Sequence, residues 1–187
     1  MKALYILLVS ILLIAPSYAQ EIYKVLQNES SITIKGTSSV HDWESTVEVF
    51  KGSASFITED GALISIDALN FSVVTESIKS GKRIMDNKTK GALEAKKHPK
   101  ILFKFESIEE VVGDSLTING SLTLAGVSNE ISLTGSYQVG TNGVISVSGV
   151  QNINMEDYGI KPPTAMMGTL KTGKEVDIEF NVTFSNN

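Results

Sequence analysis

Two histidines, a single tryptophan and a run of lysines are the residues of this chain whose types could do chemistry. His41 stands in Val40-His41-Asp42-Trp43, and a histidine beside an aspartate suggests a general base with an orienting carboxylate. On a strand, however, successive side chains point to opposite faces. The adjacency therefore argues against cooperation, and His41 reads as a strand-edge or turn residue. His98 precedes Pro99 in a basic turn and reads as solvent-exposed. Two histidines far apart among scattered carboxylates make no metal spacing, and no GxSxG, HExxH or phosphate-loop pattern occurs. The chain has no cysteine, which excludes thiol catalysis, thiolate metal sites and disulfides. The residues point away from an enzyme and imply no cofactor and no metal. A small pocket hydrolase or isomerase built on His41 and Asp42 is the minor alternative.

The lysines are concentrated between Glu76 and Lys100. This stretch carries eight Lys and Arg residues against three carboxylates, a local charge of +5 in a chain whose net charge is −5. It lacks the apolar/polar alternation of its surroundings and reads as helix plus turn. The acidic remainder is a poor partner for nucleic acid, whose binding rests on cationic contacts to phosphates.

The elements that position these residues are strands. Val176, Ile178, Phe180, Val182 and Phe184 alternate with Asp177, Glu179, Asn181 and Thr183, the period of a half-buried strand. Leu116–Leu124, Ile131–Val139 and Ile101–Phe105 repeat the pattern. Weaker runs lie at Ile22–Leu26, Ser31–Lys35, Thr46–Thr58, Ala62–Val74 and Val144–Met155. Turn signals fall at Asp60-Gly61, Gly113-Asp114, Ala125-Gly126, Gly140 to Gly143 and Thr172-Gly173. Such spacing predicts about eight antiparallel strands, in a sandwich or a closed barrel. The pattern does not choose between them, though one helical insertion is well placed to cover a barrel's open end.

The N-terminus has the layout of a secretory signal peptide. Met1-Lys2 is a positive start, Ala3 to Ala15 an apolar run, and Ser17 and Ala19 small residues before a cut at Gln20. About 13 apolar residues fall short of the roughly 20 that span a bilayer. The expectation is a signal peptide over 1–19 and one domain over 20–187, in a periplasmic or secreted protein.

Within the domain, Trp43 reads as a core anchor or as lining for a cavity mouth, since an indole offers apolar area and one donor. Met166-Met167 sits in a loop, suited to pack over a barrel end or to meet an adaptable apolar ligand.

Lys82-Arg83, Ala92-Leu93 and Lys97-His98-Pro99-Lys100-Ile101-Leu102-Phe103-Lys104-Phe105 resemble the helical segment and following strand of the YceI-like polyisoprenoid-binding family. Leu116 to Val127 resembles that family's strand–turn–strand block, and Met155-Glu156-Asp157-Tyr158-Gly159-Ile160 a third block in the same order. Three departures stand at the cap: Ala92-Leu93 replaces a Phe pair, Ile84 and Asp86 follow Lys82-Arg83, and Asn154 or Met155 replaces a basic residue.

The resemblance implies an all-β fold with one short helical segment, an eight-stranded antiparallel lipocalin-like β-barrel capped by residues 76–100. It implies non-catalytic binding, for carriage or storage, of a long-chain isoprenoid or similar amphiphilic lipid. The apolar lining expected for that ligand is Trp43, Phe56, Phe71, Ile84, Met85, Leu93, Phe103, Phe105, Tyr158, Met166 and Met167. Lys82, Arg83, Lys88 and Lys96 are placed to meet a phosphate head group or, by peripheral contact, an anionic membrane surface. The resemblance also extends to pairing of two copies as a homodimer. An outer-membrane barrel is the second alternative, but it needs aromatic girdles at both interfaces, and one Trp, five Tyr and seven Phe are few for that.

Overall fold

The computed structural model describes residues 21–141, 143–165 and 168–186. The expected signal peptide and the Met166-Met167 pair lie outside the described residues. The strands are β1 (Tyr23–Val25), β2 (Ser31–Ser38), β3 (Trp43–Val47), β4 (Phe50–Glu59), β5 (Ala62–Val74) and β6 (Ile78–Lys79), then helix α1 (Arg83–Ala92). They continue as β7 (Lys100–Val112), β8 (Ser115–Leu124), β9 (Val127–Val139), β10 (Ile145–Asn154), β11 (Thr164–Ala165) and β12 (Leu170–Ser185).

Among the described residues the strand pairings are antiparallel, and the sheet closes on itself. The order β1-β4-β5-β7-β8-β9-β10-β12 returns to β1, which pairs with both β4 and β12. That ring has eight strands and no free end, so the choice left open by periodicity is settled for the barrel over the sandwich. On one side, β2, β3 and β6 extend the wall from β12. In effect β1 with β2, β3 with β4, and β5 with β6 are three long strands, each broken once.

The breaks are held by side chains in place of ladder bonds. The Gln27 amide donates to the Glu48 carbonyl at 3.1 Å, while its oxygen accepts from the Phe50 amide at 3.3 Å. These are backbone groups that would otherwise be orphaned where β3 gives way to β4. The Ser77 hydroxyl donates to the Val74 carbonyl at 2.7 Å and accepts from the Val49 amide at 3.1 Å. The run expected over Thr46–Thr58 is therefore two strands, divided at Glu48-Val49. Thr172-Gly173 is not a turn but a bulge inside β12, where the register shifts between Thr172 and Val176.

The core fills the far end of the barrel, where both described chain ends lie. Phe56 meets Tyr23 and Phe184 edge-on, with ring centroids 5.2 Å and 5.3 Å apart. Leu63, Leu116, Tyr137 and Ile145 pack around them, and Ile145 is fully buried. At the other end gather the β2–β3 loop, the segment from Thr75 to Pro99 and the stretch from Met155 to Ala165. The barrel has a packed floor and a capped mouth.

Candidate ligand-binding site

Above that floor lies a cavity of about 910 Å³, at the upper end of the roughly 300–1,000 Å³ common for small-molecule sites. Its walls are almost wholly aliphatic and aromatic. Val176, Ile178, Phe180, Val182 and Phe184 of β12 all line it, so the alternation of the last strand turns its apolar face inward. Asp177 and Glu179 stand on the opposite, outer face. A membrane barrel has the reverse polarity, with the apolar band facing lipid, and the outer-membrane alternative is set aside on that ground.

Four of the lining rings lie across glycines of a neighbouring strand. Trp43 is the cross-strand partner of Gly36, Phe71 of Gly52 and Phe180 of Gly149, while Phe103 covers Gly120. With no Cβ beneath them, these rings rest on the wall rather than standing into the lumen. The Trp43 indole is also fixed at its edge, its Nε1 donating to the Thr37 carbonyl at 3.0 Å.

Of the apolar residues expected from the sequence, Trp43, Phe56, Phe71, Ile84, Met85, Leu93 and Phe103 line the cavity. Phe105 and Tyr158 do not. Phe105 is half-buried against the floor cluster, beside the bulge that shifts β7 on β8 between Phe105 and Ser107. Tyr158 is buried against Ile153, Met155 and Ile160, which line the cavity where it does not. Burial pushes its phenol up in pKa. Sequence reasoning missed the wall residues Ile34, Leu122 and Val147 and the polar Gln151. The period-2 pattern carries the first three, but aromatic character drew attention away from them.

At the mouth, Lys82, Arg83 and Lys88 line the opening, together with Ser38, His41 and Thr164. The Lys88 ammonium donates to the Thr164 carbonyl, tying α1 to the loop across from it. Neither the Lys82 nor the Arg83 side chain has an ion-pair or hydrogen-bond partner among the described residues. Lys96 is exposed and away from the opening, because α1 ends at Ala92 and the chain turns back through Glu94, whose φ is 47°. His98 is not solvent-exposed as expected. It is half-buried over Gly126, with Glu94 3.6 Å away. His41 donates from Nδ1 to the Asp42 main-chain carbonyl at 2.6 Å, not to its carboxylate, so the pair forms no catalytic dyad. Among the described residues no cluster of three metal-ligating groups occurs.

The cap is anchored at its start by Asp86. Its carboxylate accepts from the Ser80 hydroxyl and from the Ser80 amide, both at 2.7 Å. Those hydrogen bonds hold its pKa below the usual carboxylate range, the hydroxyl bond contributing most. A depressed carboxyl stabilises the fold above its unfolded pKa, and that contribution disappears as pH falls through the folded value. Loosening of the cap is therefore expected only below about pH 4. At neutral pH, Asp86→Asn is expected to speed tryptic cleavage after Lys82 and Arg83 severalfold, with cuts in the strands unchanged. Limited proteolysis followed by mass spectrometry checks this.

Residues 23–184 match the sequence profile of the YceI-like domain. The chain belongs to the YceI-like family. Solved structures share the fold at low identity. A Burkholderia cenocepacia protein, BcnA, superposes with a TM-score of 0.72 at 16% identity, covering 85% of this chain and 98% of that one. A polyisoprenoid binding domain from Saccharophagus degradans, implicated in plant cell wall breakdown, gives 0.69 at 14%, covering 89% and 99%. The YceI protein of Campylobacter jejuni gives 0.56 at 21%, covering 71% and 79%. No curated protein matches this chain by sequence. For a YceI-like chain, the cavity described above is the candidate ligand-binding site.

Proposed function

We propose that this chain binds a long-chain isoprenoid or similar amphiphile inside its barrel, without chemical turnover, and carries or stores it outside the cytoplasm. The supporting observation is the apolar cavity of about 910 Å³ whose mouth is rimmed by Lys82, Arg83 and Lys88. Each buried CH₂-sized group contributes about 0.8 kcal/mol. Ten such groups match the roughly 8 kcal/mol of a micromolar complex, and a chain of about twenty carbons leaves a margin for its lost freedom. Lys82 and Arg83 are placed to meet an anionic head group while the tail fills the lumen. The export part of the reading rests on the signal-peptide layout of residues 1–19.

The same rim suits contact with an anionic membrane. Ile84 and Val40 are 73% and 70% exposed beside the mouth, and the opposite end carries Glu59, Asp60, Glu109, Glu110 and Asp114. A molecule so polarised turns its mouth toward negative charge.

Titration with a C20 isoprenoid phosphate, followed by Trp43 emission, tests the reading, since Trp43 is the only tryptophan and lines the cavity. A saturable change at micromolar concentration is expected. Lys82→Glu with Arg83→Glu is expected to weaken binding of that phosphate and of vesicles rich in anionic lipid by about tenfold or more. No saturable change with the unmodified chain would defeat the proposal, and unchanged vesicle binding in the double variant would defeat the role given to the rim.

A further inference from the structure

The glycines beneath the wall rings set the width of the lumen. A Cβ built on Gly36 would stand 2.3 Å from the Trp43 ring, and one on Gly52 would stand 2.7 Å from the Phe71 ring. On Gly149 it would stand 2.7 Å from both Phe180 and the Thr134 carbonyl oxygen, and on Gly120 2.5 Å from both Phe103 and the Lys104 carbonyl oxygen, so at these two the close main chain alone requires glycine. All of these are far inside ordinary contact. At Gly36 the nearest atoms all belong to the indole, and at Gly52 they are Phe71 and Val25 side-chain atoms. The main chain is behind the ring and the cavity in front of it. A ring lifted by an added methyl group therefore has one way to go, toward the lumen, by about 1 Å to regain contact distance at Gly36.

Gly36 lies on β2 and Gly52 on β4, and the ring that each carries lines the cavity. Glycine in a strand interior weakens the strand and leaves nothing to pack, so Gly36 and Gly52, each in register with an inward ring and with no main-chain atom among its nearest neighbours, call for a reason in the lumen. The wall gains large apolar area from the rings without losing cross-section.

Resting on the binding function proposed above, we infer that Gly36 and Gly52 are specificity-determining residues, which keep the lumen wide enough for a methyl-branched chain rather than a straight one. A methyl branch every fourth carbon makes the isoprenoid thicker than an alkyl chain of equal carbon number. A narrowed lumen penalises the thicker chain first.

Gly36→Ala and Gly52→Ala separate this from a merely structural role, because both added methyl groups meet side chains rather than backbone. Dissociation constants are measured by native mass spectrometry for geranylgeraniol and for straight-chain eicosanol, two twenty-carbon alcohols. Each variant is expected to weaken the branched alcohol roughly tenfold, the scale of one methyl-sized misfit in an apolar pocket, while the straight one changes much less. Adding Phe71→Leu to Gly52→Ala reopens the lumen and is expected to restore the branched alcohol. Equal losses for both alcohols, no loss for either, or failure of that rescue would overturn the inference. If the unmodified protein binds neither alcohol, the binding function and this inference fall together. If it binds both and the ratio is insensitive to the glycines, only the inference falls.

Discussion

Val147→Trp and Ile34→Trp are each expected to abolish measurable binding of a long-chain lipid while leaving the barrel folded. Both side chains face the cavity and are only partly buried. An indole in place of either side chain occupies space that the ligand would fill. Displacing about five CH₂-sized groups removes roughly 4 kcal/mol, or close to a thousandfold in affinity. Inserting bulk into a close-packed core costs about 1–3 kcal/mol through strained neighbours, but here the new ring enters open volume. The melting temperature is therefore expected to stay close to that of the parent chain. Isothermal titration and a thermal melt on the same samples separate the two effects.

The floor behaves in the opposite way. Phe184→Ala is expected to destabilise the protein by about 3–5 kcal/mol, the range for emptying a close-packed aromatic site. For a domain of this size that lowers the melting temperature by about 10 °C. Phe184 is 3% exposed and lies edge-on to Phe56, which in turn holds Tyr23. Truncation takes from Phe56 one of its two ring partners, at the seam where β1 joins β12 and closes the ring of strands. Ile131→Ala, on the cavity wall, is expected to cost about 2 kcal/mol, the low end for its type, because its side chain faces a void on one side. Denaturant melts of the two variants, compared with the parent, give the contrast between floor and wall.

How much of this was legible in the sequence depended on whether a signal was local. The inward face of β12 is written in strict alternation from Val176 to Phe184, and the structure places every one of those side chains on the cavity. The basic stretch from Glu76 to Lys100 reads as helix and turn because alternation stops there, and α1 occupies its centre. Closure was not readable, because it depends on β1 pairing β12 across the whole chain. Nor were the breaks. A continuous run over Thr46–Thr58 hides the change of partners at Glu48-Val49, which hydrogen bonds from Gln27 and Ser77 make tolerable.

For the site, aromatic residues were the visible clue and an incomplete one. Phe103 and Phe105 alternate correctly, yet the bulge beside Phe105 leaves that ring against the floor cluster. Lys96 shares the charge of Lys82 but lies past the end of α1, so charge alone did not locate the mouth. Gly36 and Gly52 carry no signal of their own in the sequence. Their meaning appears only when the ring across from each is known, which is a property of register.

The most direct test of the central claim is mass spectrometry of an organic extract of the protein purified without detergent from its native host. A polyisoprenoid or similar long-chain amphiphile is expected, near one molecule per chain, and is expected to be lost from the Val147→Trp variant. A protein that carries no lipid and takes up none when offered a C20 isoprenoid would contradict that claim.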